Sequence, residues 1–129
     1  MTPRLVSCVL LVAAIACDKG GGAAGNGPRD AVLAAWKKGG QSPSALTAAS
    51  VPAVGKDCQS GTVGAIDVLL CVYPTAADAK AAEDAGLTWV GDTTGAAQAS
   101  GTVLIAISDR RKSDPSGRTI NQLMKLAPK

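Results

Sequence analysis

Cys58 lies six residues before Gly64, and Cys71 lies six residues after Ala65. This symmetry about Gly64-Ala65 constrains the fold more than any other feature of the chain. Ile66, Val68, Leu70 and Val72 alternate with Asp67, Leu69, Cys71 and Tyr73, which is the two-residue period of a strand. Both sets are largely apolar, so the strand belongs in the middle of a sheet. Gly55 to Val63 supplies a shorter partner, and Gly64-Ala65 suits a two-residue hairpin turn with glycine first. That register sets Cys58 directly opposite Cys71, with Cβ atoms within ~4.5–5.5 Å, close to what a disulfide bridges. A turn at Ser60-Gly61 would break the alignment. The pair reads as a structural disulfide; a redox pair is disfavoured because neither Cys-x-x-Cys spacing nor a helix N-terminus accompanies it.

The rest of the core has little bulk to draw on. The 129 residues include 24 Ala and 15 Gly but no Phe, two Trp and one Tyr. One small domain fits that length, built from Val, Ile and Leu on closely approaching backbones. A helix is expected at 29–38: Pro28 suits its first position, Gly39-Gly40 stop it, and Val32, Leu33 and Trp36 share a face. Residues 41–54 read as a loop. Thr75 with Asp78 forms a capping-box pattern for a helix over 75–86, with Ala76, Ala79, Ala82 and Ala85 as a narrow face, a Lys80–Asp84 pair on its solvated side, and Gly86 as its end. Leu87 to Val90 reads as a short strand, long enough after the first for a parallel crossover. Residues 92–101 read as a weak strand or a helical turn, and Thr102 to Ser108 as a second central strand. A last helix is expected from Asp114-Pro115 or Ser116 to Ala127, with Ile120, Leu123, Met124 and Ala127 as its apolar stripe. Trp36 and Trp89 are expected as core plugs. The fold class is then α+β: a small two-layer sandwich of about three to five short strands with two or three helices over residues 29–129.

Upstream of this domain, residues 1–17 read MTPRLVSCVLLVAAIAC. Arg4 supplies a positive start, and Leu5 to Ala16 is an uncharged stretch too short to span a bilayer, which takes ~20 apolar residues. Ala14-Ile15-Ala16-Cys17 resembles the lipobox of bacterial lipoproteins, with Ala14 where leucine is usual. Leu5-Val6-Ser7-Cys8 fits the local pattern but lacks a preceding apolar run. The resemblance implies a signal peptide over 1–16, cleavage before Cys17, lipid on that cysteine, and a protein moored to the membrane on the periplasmic side of the cell envelope. Asp18 resembles an inner-membrane retention signal of enterobacterial lipoproteins, and inner and outer membrane both stay open. Residues 17–28 then read as a flexible tether, since five of the eleven residues from Asp18 to Pro28 are glycine. With Cys8 removed and Cys17 lipidated, two cysteines remain for a disulfide in an oxidising compartment.

Chemistry is harder to find. The chain has no histidine, which removes histidine triads, histidine-bound zinc and the usual neutral base. Asp57, Asp67, Asp92 and Asp109 stand near strand ends without a spacing that makes any pair converge. Ser60, Ser100 and Ser108 lack an activating base. The net charge is +3, and three aromatics give nucleic acid no stacking platform. No metal site or cofactor is expected. One constellation stands out: Arg110, Arg111 and Lys112 follow the second central strand, and Arg118 opens the last helix. Four cations beside a helix N-terminus can hold a phosphate or carboxylate, or touch anionic headgroups; a loose cluster of this kind is also an ordinary solvated turn. The sequence therefore points to a lipid-anchored envelope protein with a non-enzymatic binding or interaction domain for an unidentified envelope protein or ligand. The alternative is an anion-recognising or weakly catalytic module using the cluster 110–118.

Overall fold

The hairpin forms about Gly64-Ala65. The computed structural model describes residues 27–128. The expected signal peptide, the lipidation site Cys17 and the tether up to residue 26 lie outside the described residues. Strand β2 (Asp57–Val63) pairs antiparallel with β3 (Ile66–Val72), and Gly64 takes the positive φ of 62° that the turn needs. Cys58 faces Cys71 in this register, and the two form a disulfide with Cα atoms 4.0 Å apart.

Three further strands complete the sheet: β1 (Thr47–Ala49), β4 (Gly95–Ser100) and β5 (Val103–Ser108). The order is β1-β2-β3-β5-β4, antiparallel throughout. β3 and β5 are buried along both faces, as their continuous apolar runs require. Helix α1 (Pro28–Lys38) and helix α4 (Arg118–Leu126) cover the face bearing Val68, Leu70, Ile105 and Ile107. Trp36 is fully buried there, and its indole N–H donates to the Leu123 carbonyl at 2.9 Å, locking α1 to α4. Helices α2 (Ala76–Ala81) and α3 (Glu83–Val90) belong to the other face, where Leu69, Cys71, Leu104 and Ala106 form a second cluster with Cys58, Val54 and Val90. The α+β sandwich therefore carries helices on both faces of its sheet.

Several local expectations change. The helix expected over 75–86 is two helices, broken at Ala82. Thr75 caps the first as expected, accepting from the Asp78 amide at 3.1 Å. Lys80 pairs with Glu83 at 3.3 Å instead of with Asp84. Residues 87–90 are the end of α3, not a strand. A four-residue apolar run fits either period, and Gly86 does not stop the helix because it is the close-approach point. A Cβ there would stand 2.9 Å from the Ala97 Cβ and 3.1 Å from Leu104 Cδ2. Gly91, with φ 70°, ends α3 instead. The crossover from β3 reaches β4, which runs parallel to β3, but β5 lies between them, antiparallel to both. Residues 95–100 are this edge strand, and 47–49 form a short strand inside the expected loop. Glu83 accepts from the Ala99 amide at 2.9 Å, capping an outward donor of the β4 edge. That hydrogen bond, helped by Lys80, holds the Glu83 carboxyl below its ordinary range against the opposing effect of burial.

Two outcomes follow. Joint replacement Cys58→Ala and Cys71→Ala is expected to cost about 3 kcal/mol, read as a fall in the urea unfolding midpoint. The unreduced wild-type chain should resist alkylation at both positions. Gly86→Ala is expected to cost about 1–3 kcal/mol by the same measurement, since backbone and Leu104 must give way to the added methyl.

Candidate functional site

β5 delivers the chain into a loop that two buried carboxylates organise. Asp109 is 2% exposed, and its carboxylate accepts from the Ser113 amide at 2.8 Å, the Ser113 hydroxyl at 3.0 Å and the Asp114 amide at 2.7 Å. Asp114, also buried, accepts from the Thr119 amide at 2.9 Å and the Ile120 amide at 3.2 Å. These are first-turn donors of α4, whose own cap residue Gly117 has no side chain to offer. Asp114 thus performs a cap from three residues further upstream, and α4 begins at Arg118, later than the spacing suggests. Lys112 takes a positive φ of 57° in the tight turn, where its amide donates to the Asp109 carbonyl. Burial pushes the Asp109 carboxyl up, but the donors from Asp114, Ser113 and Lys112 outweigh it and hold the carboxyl below the ordinary aspartate range.

This loop distributes the four expected cations. Arg110 lies over the Trp89 indole, 4.2 Å from the ring centre, and donates through Nη2 to the Trp89 carbonyl at 2.7 Å. Both contacts suit a cation, one through the ring face and one through the negative end of α3. Trp89 is accordingly half-buried beneath a guanidinium and is not a core plug, whereas Trp36 is. Arg111 donates through Nη1 to the Ala65 carbonyl at 2.8 Å and to Asp67 Oδ1 at 3.1 Å, tying the loop to the β2–β3 hairpin. Lys112 and Arg110 line a depression of about 430 Å³ together with Asp92, Thr93, Thr94, Asp109 and Pro115. Arg118 is exposed at the start of α4 and lines neither this depression nor the larger cleft beside it. The structure therefore brings Arg110 and Lys112 together, sets Arg111 on Asp67, and leaves Arg118 apart.

The larger cleft, about 530 Å³, lies on the other side of Arg110. It exists because α3 packs against the β4–β5 half of its face and leaves the β1–β2 half without a helix. The pairing Thr47↔Ser60 and Thr62↔Asp67 puts three hydroxyls and a carboxylate on that face, alternating with the residues that point to α1 and α4. Trp89 and Arg110 close one side, and Ala49 and Val51 add apolar surface above the buried Leu69. Sequence reasoning missed this cleft. Its signal was present in Cys58, Ser60 and Thr62, one face of β2 that turns from sulfur to hydroxyl toward the turn. Among the described residues, no group of three or more His, Cys, Asp or Glu stands close enough to hold a metal ion.

No protein family, curated protein or solved structure matches this chain.

The Asp109 geometry sets a pH dependence. A carboxyl whose pKa is lowered on folding contributes stability above its unfolded pKa, and that contribution is lost as pH falls through the folded value. Wild type is expected to be more stable than Asp109→Asn at neutral pH. The difference should shrink as pH falls through and below the ordinary aspartate range when urea unfolding is followed at a series of pH values.

Proposed function

We propose that this chain is a lipid-anchored protein of the cell envelope whose folded unit is a non-enzymatic binding domain. The disulfide Cys58–Cys71 is the observation that carries the reading, since such bonds persist in oxidising compartments and are rare in the cytosol. The leader ending Ala14-Ile15-Ala16-Cys17 supports it from the sequence side. Two long acyl chains on Cys17, at ~0.8 kcal/mol for each buried methylene, give effectively permanent attachment. The domain then stands on the periplasmic side, joined to the membrane through its lipid, where it meets an envelope protein or small ligand. The binding role finds support in a cleft of a size usual for small-molecule sites, about 300–1,000 Å³. A second reading, recognition of an anion, draws on Arg110 and Lys112 lining one depression, although the Asp92 and Asp109 carboxylates share it.

The expected result is incorporation of labelled palmitate by the wild-type chain in bacteria, none by Cys17→Ser, and wild-type protein in the membrane fraction. An unlabelled wild-type chain recovered with the cytosolic contents would overturn the anchor.

A further inference from the structure

We infer that the cleft between β1–β2 and α3 binds a neutral polyhydroxylated ligand, a short glycan segment, using Thr47, Ser60, Thr62, Asp67, Trp89 and Arg110. The inference rests on the binding-domain reading but not on the lipid anchor.

The chemistry of the lining selects the ligand class. Thr47 and Ser60 sit opposite each other on neighbouring strands, and Thr62 follows Ser60 by two residues on the same face. Strand geometry spaces these positions by about 5 Å across and about 7 Å along the sheet, the span of a sugar ring. Among the described residues, none of the three hydroxyls is engaged by another side chain, and each can both donate and accept. Asp67 gives Oδ1 to Arg111 and keeps Oδ2 as a pure acceptor, while Arg110 spends Nη2 on the Trp89 carbonyl and keeps further N–H groups as pure donors. A vicinal diol matches such a mixed set, because one hydroxyl donates while its neighbour accepts. Ala49 and Val51, with the part of the Trp89 indole that Arg110 leaves open, supply apolar surface for the C–H faces of a ring.

Other ligand classes fit less well. An anion entering the cleft meets the Asp67 carboxylate. An apolar ligand strips water from three hydroxyls without replacing their hydrogen bonds, which costs free energy for each. An added peptide strand needs a long free edge, and β1 offers three residues. Arg110 is immobilised on both its ring and its carbonyl partner, and Asp67 is held by Arg111, so the charged groups need little reordering when a ligand arrives.

The test uses the full-length chain purified from whole cells in a detergent without a sugar headgroup. It is titrated with chitotetraose and maltotetraose as neutral probes, and with oligogalacturonate and inorganic phosphate as anionic ones. Indole fluorescence is the readout, made specific for Trp89 by Trp36→Phe, because Trp36 is buried on the opposite face. A saturable response to a neutral oligosaccharide is expected, weakened about tenfold by Thr62→Val and by Asp67→Asn and unchanged by Arg118→Ala. Circular dichroism confirms folding of each variant, and Ser60→Ala serves in place of any variant that unfolds. The absence of a saturable response to either neutral probe overturns the inference, as does a response that Thr62→Val and Ser60→Ala both leave intact. Binding restricted to the anionic probes and lost in Arg110→Ala overturns it in favour of anion recognition. Capture of a protein through this cleft, with no oligosaccharide bound, overturns the glycan assignment while the binding-domain reading stands.

Discussion

Everything in this domain is hung on the burial of β3 and β5 along both of their faces. Ile66, Val68 and Leu70 with Ile105 and Ile107 point to α1 and α4, while Leu69 and Cys71 with Leu104 and Ala106 point the other way. A chain without phenylalanine has few large plugs beyond Trp36 to fill gaps, so close approach of backbones must replace bulk elsewhere. That is why α3 lies over the β4–β5 half of its face: Gly86 meets Ala97 and Leu104 there, and any added carbon intrudes. The same choice leaves β1 and β2 without a helix above them. The cleft is therefore a consequence of how a core poor in aromatics is sealed, and its Ser and Thr floor suits the solvent that reaches it.

Buried charge does related work in the loop after β5. Asp109 closes the turn and Asp114 caps α4, each repaid for its desolvation by backbone donors. With the loop held from inside, its cations are displayed outward on fixed stems, two of them fastened further by the Trp89 carbonyl and by Asp67. The sheet edges are managed as well. β1 is only three residues long, and Glu83 covers the Ala99 donor of β4.

The central hairpin was legible because its register has a local cause: a two-residue turn fixes every pair along two strands, so one glycine and two cysteines determine seven pairings. The stripes Val32–Trp36 and Ile120–Met124 were legible because their helical period is unambiguous. Leu87 to Val90 was not, since four apolar residues fit either period and only the tertiary fit at Gly86 lets α3 run through a residue that ordinarily ends helices. Trp89 misled for a similar reason, its cover being a guanidinium twenty-one residues away in sequence. The capping role of Asp114 was hidden by distance, because a side chain three residues before the cap position follows no local rule. The cleft was invisible because it is defined by what α3 leaves uncovered, a property of layer placement that no single segment carries.

Direction along the sheet separates the start of α1 from the basic loop. Gly27 opens α1, and Arg29 holds that end to Asp57, where β2 begins and β3 finishes. The row of Thr62, Asp67, Ser108 and Gly95 lies at the opposite end, with the basic loop beyond it. Seven-residue strands separate the two ends by about 20 Å. Gly27 enters at the Asp57 end, so Arg110, Lys112, Thr62 and Asp67 lie toward the opposite end, while the cleft runs along the sheet from Thr62 and Asp67 back to Ala49 beside Cys58. Were the chain moored through Cys17, the basic loop would stand at the end of the domain farthest from Gly27.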